Sequence, residues 1–379
     1  MIPRLGRVPL VLVVAGLWVA PLAAQKVSIE AKLGDLQAAA IRDSNDAAAH
    51  YNLAMGYWSK KRYSDAEQSL RTAVKIDPQF AGAYLALGVV HYWDEDYLKR
   101  LSRSDSALKA FFRETGGYYR KAFMIDPLVD IRILGSSYRF YGNSRFSRAF
   151  RDLVEGRYDK AYESLEKEVQ YWGGRGGTDS APPLVLWLHG LSAAHTDHYD
   201  VAIRDLEILL ARVQPAADSS NEVPLVNNEF RYMLAALRHK AGQVDQAVSL
   251  YQQVVEADIG HYMAHVQLAR IYEAQRDYPR AVQERQNAIN ANPDDPTLLV
   301  DLGVTLGKAG MMLQAETRFQ AAYEANPRDV RPLFWLGLAQ FDQGKRDAAR
   351  ESLTRFIAVA PSRYERQIGM ARERLAKLQ

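Results

Sequence analysis

Apolar residues in the C-terminal half of the chain recur three and four positions apart in short runs, and the runs themselves return every 34 residues. An alanine marks the interval at Ala247, Ala281, Ala315 and Ala349, and a proline does so at Pro293, Pro327 and Pro361. Segments aligned from Tyr262, Pro296 and Val330 place Leu268, Leu302 and Leu336 seventh, Ala269, Gly303 and Gly337 eighth, and Ala288, Ala322 and Phe356 twenty-seventh. Spacing of three and four describes one face of an amphipathic helix. Arg276, Gly310 and Gly344 at the fifteenth position mark a tight turn. A second amphipathic run then leads to the proline, which cannot continue a helix and restricts the residue before it. Each unit therefore predicts two antiparallel helices, and a fixed period of this length means a stack of such units. Small residues at the eighth and twentieth positions let the two axes approach; a larger side chain there would overpack the crossing, at roughly 1–3 kcal/mol.

The same pattern reaches back to the start of the chain. A first unit carries Leu53-Ala54, Tyr57, Tyr63, Ala66, Leu70, Ala73 and Asp77-Pro78. A second begins at Ala81 with Tyr84 and Leu87-Gly88 and ends at Ala122 and Asp126-Pro127; its excess length predicts an insertion near Asp94–Phe112. Weaker units follow at Gly142–Gly173 (Gly156, Tyr158, Ala161, Leu165) and Pro183–Gln214 (His189-Gly190, Tyr199, Ala202, Leu206). A fifth starts near Asn228 with Leu234-Ala235, Gly242 and Ala247, and has Ile259 where the proline is expected.

These residues resemble the tetratricopeptide repeat (TPR) family, whose bulky fourth residue, Leu-Gly at seven and eight, Ala at twenty and Pro at thirty-two are matched by Leu299, Leu302-Gly303, Ala315 and Pro327. The resemblance implies an all-α fold, a right-handed α-α superhelical solenoid of about eight helix-turn-helix repeats. The expected organisation is a signal peptide at 1–24, an N-terminal helix within 25–46, a first block of three units at 47–172, a glycine-rich linker at 173–182, a second block of five units at 183–363 and a capping helix at 364–379. A polar-faced terminal helix is what such a stack needs to stay soluble. The linker is read as a tolerated insertion, with a hinge between two sub-solenoids as its functional alternative.

Arg4 and Arg7, the apolar run from Val8 to Ala20 and the small residues before Gln25 form the export signal, with cleavage near Ala24. Its apolar stretch is shorter than the roughly 20 residues that span a bilayer comfortably; an uncleaved membrane anchor is the alternative. The chain has no cysteine, which excludes disulfides, thiolate metal sites, cysteine nucleophiles and a cysteine lipid anchor. Together these features point to a bacterial periplasm. The net charge of +3 is nearly balanced over 379 residues, but Tyr97 to Arg157 holds 13 Lys/Arg against 6 Asp/Glu. There arginines interleave with aromatics (Tyr138-Arg139-Phe140-Tyr141, Arg145-Phe146, Arg148, Phe150-Arg151), as in an amphipathic helix with a solvated basic face. The alternative is a docking surface for an anionic envelope component; export argues against nucleic acid.

Candidate chemistry is sparse. His261 and His265 share a helix face but lack the carboxylate that accompanies a metal-binding His-x-x-x-His. His195-Thr-Asp-His198 falls in an interhelical turn, and Gly190-Leu-Ser-Ala-Ala lacks the second glycine of a nucleophile elbow. No cofactor, metal site or catalytic constellation is expected, and the reading is non-enzymatic. In the resembled family the first helix of each unit lines a concave face. Carrying those positions over marks Trp58, Tyr92, Trp93 and Trp187 as aromatic anchors, Tyr51, Tyr232 and Phe334 as further groove positions, and Arg270, Lys308 and Arg331 as charged selectors; the alternative is that the aromatic rings of the first half are covered by the insertion or by the opposite wall of the superhelix. Aromatic anchors bury large area at low entropic cost, so the expected partner is a peptide segment or protein held in that groove.

Overall fold

The computed structural model describes residues 33–91, 94–134, 144–176, 180–212 and 225–378. The signal segment 1–24 and residues Tyr138–Tyr141 lie outside the described residues. Among those described, every regular element is helical. A leading helix α1 (Leu33–Arg42) precedes the pair α2 (Ala47–Ser59) and α3 (Tyr63–Ile76). The second repeat has α4 (Ala81–Val89), a short inserted α5 (Glu95–Leu101) and the long α6 (Asp105–Ile125), so the predicted insertion near Asp94–Phe112 is an extra helix. The pairs α7 (Arg145–Val154) and α8 (Tyr158–Gly176), α9 (Pro183–His195) and α10 (Tyr199–Arg212), and α11 (Leu225–Lys240) and α12 (Val244–Ala257) follow. The regular repeats are α13 (Tyr262–Ala274) with α14 (Tyr278–Ala291), α15 (Thr297–Lys308) with α16 (Met312–Ala325), and α17 (Arg331–Asp342) with α18 (Arg346–Val359); α19 (Glu365–Ala376) comes last. The helix-turn-helix repeats expected from the 34-residue interval are present.

The turns within repeats share one backbone signature. Lys61, Gly156, Asp197, Gly242, Arg276, Gly310 and Gly344 all have positive φ, and each occupies the fifteenth position of its repeat. This left-handed residue closes the first helix and reverses the chain, a conformation glycine adopts freely and other residues at a cost. Between repeats an acid or amide takes over. Asp77, Asp126, Asp258 and Asn326 each accept the backbone N–H two residues on, at 2.9–3.3 Å, a side-chain turn that stops the second helix. The ladder alanines Ala247, Ala281, Ala315 and Ala349 are completely buried. The close approach at the eighth position is equally tight: a Cβ on Gly303 would lie 2.5 Å from Phe319, and one on Gly337 2.6 Å from Leu353.

The glycine-rich segment expected as a linker is helical through Gly176, and the compact units divide elsewhere. One unit joins the chain up to Ala83 with the chain from His265 onward; the other is Tyr84–Ala264. Within the first unit a continuous core runs through Leu302, Leu306, Phe319, Phe334, Trp335, Leu353 and Phe356, closed at its end by Tyr364 and Ala371. The same unit brings the first repeat beside the last ones, a pairing that sequence periodicity did not anticipate. Asn326 Nδ2 donates to the carbonyls of Lys75 (3.1 Å) and Ile76 (3.3 Å), and Gln79 Nε2 donates to Thr297 Oγ1 (2.7 Å). Arg328 donates to the Ser44 carbonyl (2.9 Å), Ser362 donates to Asp43 (3.1 and 3.2 Å), and Arg363 faces Asp46 (3.1 Å). Arg331 completes this polar seam, bound to Asp329 at 2.8 Å and facing Asp77 at 3.7 Å.

In the second unit aromatic and histidine rings pack between helices. Tyr232 lies against Tyr251 and His261, and Tyr162 is sandwiched between His189 and His198. His189 is fully buried, with Nδ1 2.6 Å from Asp205, itself buried and paired with Arg204. Among the described residues no helix is long and apolar enough to cross a membrane.

Candidate functional site

The sixth repeat departs from the pattern of the others at one buried position. The twenty-fourth position is a core apolar residue in six repeats: Leu70, Leu165, Leu206, Tyr251, Phe319 and Leu353, all buried. In the sixth it is Arg285, also buried, on α14. A buried guanidinium persists only with its charge and donors satisfied. Here Nη2 and Nε donate to Glu273 at 2.8 and 3.1 Å, and Nη1 donates to Asp301 at 2.8 Å. Glu273, on the last turn of α13, also accepts Thr305 Oγ1 (2.6 Å) and Lys308 Nζ (2.5 Å) from α15. Burial alone would raise the Glu273 carboxyl. The charges of Arg285 and Lys308 and the hydrogen bonds from Lys308 and Thr305 outweigh it and bring the pKa down to about 2.

Two members of this network, Glu273 and Lys308, line an open pocket of about 310 Å³ together with Arg270, Ala274, Arg276 and Tyr278. Arg276 holds φ 61° at the turn position, as Lys61 and Asp197 do in their repeats, where the flanking repeats have Gly242 and Gly310. Two of the ten sequence-derived candidates, Arg270 and Lys308, are thus brought together. Glu273 falls on an inward first-helix position by the same mapping that marks Arg270 and Lys308; Arg285 and Thr305 escaped the sequence reading, although an arginine at a position that is apolar in the other repeats was a visible signal.

The remaining candidates are dispersed. Trp58 is half-buried at the end of α2, and Trp187 is half-buried on α9 with an edge-to-face contact to Phe123 (6.1 Å). Tyr92 and Trp93 lie outside the described residues. Three expected groove residues are instead packing residues. Phe334 is completely buried against Trp335 and Phe356, and Tyr232 is 1% exposed. Tyr51 is buried, its ring tilted against that of Phe80 with centroids 5.1 Å apart. Phe334 and Tyr232 are met by rings of the neighbouring helices α18 and α12, and Tyr51 by Phe80 in the turn before α4. Arg331, expected as a selector, is neutralised by Asp329 and Asp77 in the polar seam.

The basic segment 97–157 is likewise compensated in part. Arg120 binds Glu229 and Asp258, Arg132 binds Asp130, Arg145 lies 3.6 Å from Glu168, and Arg157 binds Asp152 and Glu155. Such internal pairing removes charge from an outward anionic docking face. His261 and His265 do not converge either: His261 sits 3.5 Å from Glu229, whereas His265 pairs with Glu284 at 2.6 Å. His195 is the last residue of α9 and stacks on Tyr158 at 4.1 Å.

Three family models described as tetratricopeptide repeat match residues 47–80, 188–261 with 300–364, and 238–302. The chain is a tetratricopeptide repeat protein. A solved structure, the C-terminal part of a TPR repeat-containing protein from Cytophaga hutchinsonii, is 19% identical with a TM-score of 0.50, covering 62% of this chain and 87% of that one. That likeness concerns the fold alone. Among curated proteins, this TPR protein is similar to the lipoprotein NlpI homolog of Haemophilus influenzae, 23% identical over 235 residues, covering 56% of this chain and 63% of the relative. It is also similar to protein O-mannosyl-transferase TMTC1 of Homo sapiens, 25% identical over 154 residues, covering 40% of this chain and 17% of the relative. The chain thus spans less than two thirds of the length of each of these relatives.

Proposed function

We propose that this TPR protein is a non-enzymatic protein-interaction scaffold of the bacterial cell envelope that holds a partner segment on the first helices of its repeats. The observation that carries the reading is the pocket between α13 and α15. Consecutive first helices and the turn beside them present Arg270, Arg276 and Lys308 around Glu273, which is recognition geometry on a repeat framework. Half-buried Trp58 and Trp187 supply the aromatic area from which interfaces draw their anchors. The envelope assignment is supported by the signal-like segment ending near Ala24 and by the similarity to a lipoprotein. The transferase named among the relatives is matched over 17% of its length, and its activity is not carried over.

The test is partner capture from an envelope extract with tagged wild-type protein and with a Trp58→Ala/Trp187→Ala variant, followed by mass spectrometry. The scaffold reading expects a specific partner with wild type and several-fold lower recovery with the variant. Equal recovery would remove the two rings from the interface. If no protein is enriched over a tag-only control, the scaffold reading falls.

A further inference from the structure

We propose that the first repeat is a releasable latch on the seventh and eighth repeats, and that protonation of His50 opens it; this goes beyond the scaffold reading and stands without it. The chemistry of the seam is the first ground. Repeats that follow one another in the chain share an apolar core, as the run from Leu302 to Phe356 does across the seventh and eighth. Among the described residues, none from the first repeat belongs to that core. The first repeat is held instead at helix ends and turns, by Asn326 on the carbonyls of Lys75 and Ile76, Gln79 on Thr297, Ser362 on Asp43 and Arg363 on Asp46. Hydrogen bonds of this kind contribute about 0.5–1.5 kcal/mol each after exchange with water. The seam can therefore open while the core of the last repeats stays packed.

The placement of His50 is the second ground. From the first turn of α2 its Nε2 donates to the Ser44 carbonyl at 3.0 Å, and the same oxygen accepts Arg328 Nη2 at 2.9 Å from across the seam. Ring and guanidinium are neighbours sharing one acceptor. A proton on the half-buried ring sets a second cation beside Arg328. Asp46 is the anion that faces the ring, but it already accepts the Ala48 N–H at 2.9 Å and lies 3.1 Å from Arg363. Arg42 and Asp43 pair with each other at 3.1 Å and add little net charge. Burial, and after it the charge of Arg328, hold the His50 pKa below its ordinary 6.5; the Ser44 hydrogen bond and Asp46 offset them only in part. Opening the seam takes Arg328 away and returns the ring to water, so the open form holds the proton more firmly. Closure is thus fully favoured above the ordinary histidine value and weakens as pH falls through the depressed one.

The chain has no cysteine, so nitroxide labels can be placed on the full-length protein at Ile41→Cys and Val359→Cys. Both positions are exposed, at 79% and 42%, on either side of the seam. Double electron–electron resonance should give one short distance at pH 7.5 and a growing longer population towards pH 5, the ratio of long to short rising at least about threefold. Far-ultraviolet circular dichroism should stay constant over the same range. His50→Gln, whose amide can still donate to the Ser44 carbonyl, should keep the short distance at both pH values, and Arg328→Gln should shrink the response. Distances that do not change between pH 7.5 and pH 5 overturn the proposal, as does an undiminished response in either variant. Helical signal lost in step with the distance change overturns it too, because that is unfolding instead of release. None of these readouts involves a partner, so the latch and the scaffold reading fail separately.

Discussion

Glu273→Gln is the most informative single change, because the residue is the common acceptor of a buried polar network in a region that other repeats fill with apolar side chains. Its side chain is 8% exposed and its pKa is lowered from 4.5 to about 2. At about 1.4 kcal/mol per pH unit, that difference corresponds to about 3 kcal/mol of stability. The independent expectation for removing one partner of a buried ion pair is about 3–5 kcal/mol, since Arg285 would keep only Asp301. The sign follows from the depressed value. The contribution is fully present above the unfolded-state pKa near 4.5 and is lost as pH falls through about 2. Global melting is a poor readout, because repeat arrays unfold without full cooperativity. Hydrogen exchange at neutral pH should therefore localise the loss to α14 and α15, with urea unfolding followed by circular dichroism from pH 7 to pH 2. The wild-type advantage should hold above pH 5, narrow below pH 4 and vanish near pH 2. Glu273→Gln/Arg285→Leu, which restores the apolar residue used by other repeats, should return to within about 1 kcal/mol of wild type, because a buried pair exchanged for hydrophobic packing is often neutral. A loss below about 1 kcal/mol at pH 7, or one that persists unchanged at pH 2, would refute the network as a stabilising element.

Two further expectations concern packing and the polar seam. Gly303→Ala places a Cβ 2.5 Å from Phe319, and overpacking of this kind costs about 1–3 kcal/mol. Hydrogen exchange should accelerate in α15 and α16 while Gly310→Ala, with open space around it but φ 79°, costs only the strain of its turn, about 1–2 kcal/mol; equal protection in Gly303→Ala and wild type would contradict the close crossing. Arg331→Met strips a partner from two carboxylates, Asp77 and Asp329, that are 7% and 6% exposed. Protection of residues 43–79 should fall with it, and unchanged exchange across that stretch would show that the first repeat does not depend on the seam.

Periodicity settled much of this protein before any coordinates. A residue type that must recur at every helix crossing or every turn is visible as an interval, which is why the alanine ladder, the fifteenth-position turns and the insertion after Val89 were all legible. Local rules of this kind depend on neighbours within one repeat. The surface of a repeat depends on something else, namely which side chains an adjacent helix covers, and there the pattern misleads. Tyr232 and Phe334 occupy formally inward positions yet are covered by neighbouring helices, while Arg331 is consumed by carboxylates 2 and 254 residues away in sequence. The pocket lies between these cases. Arg270 and Lys308 were identifiable from position, but only the fold sets them beside Arg276 and above a buried glutamate, because a charge in the core must find its counterions in three dimensions wherever the chain has placed them.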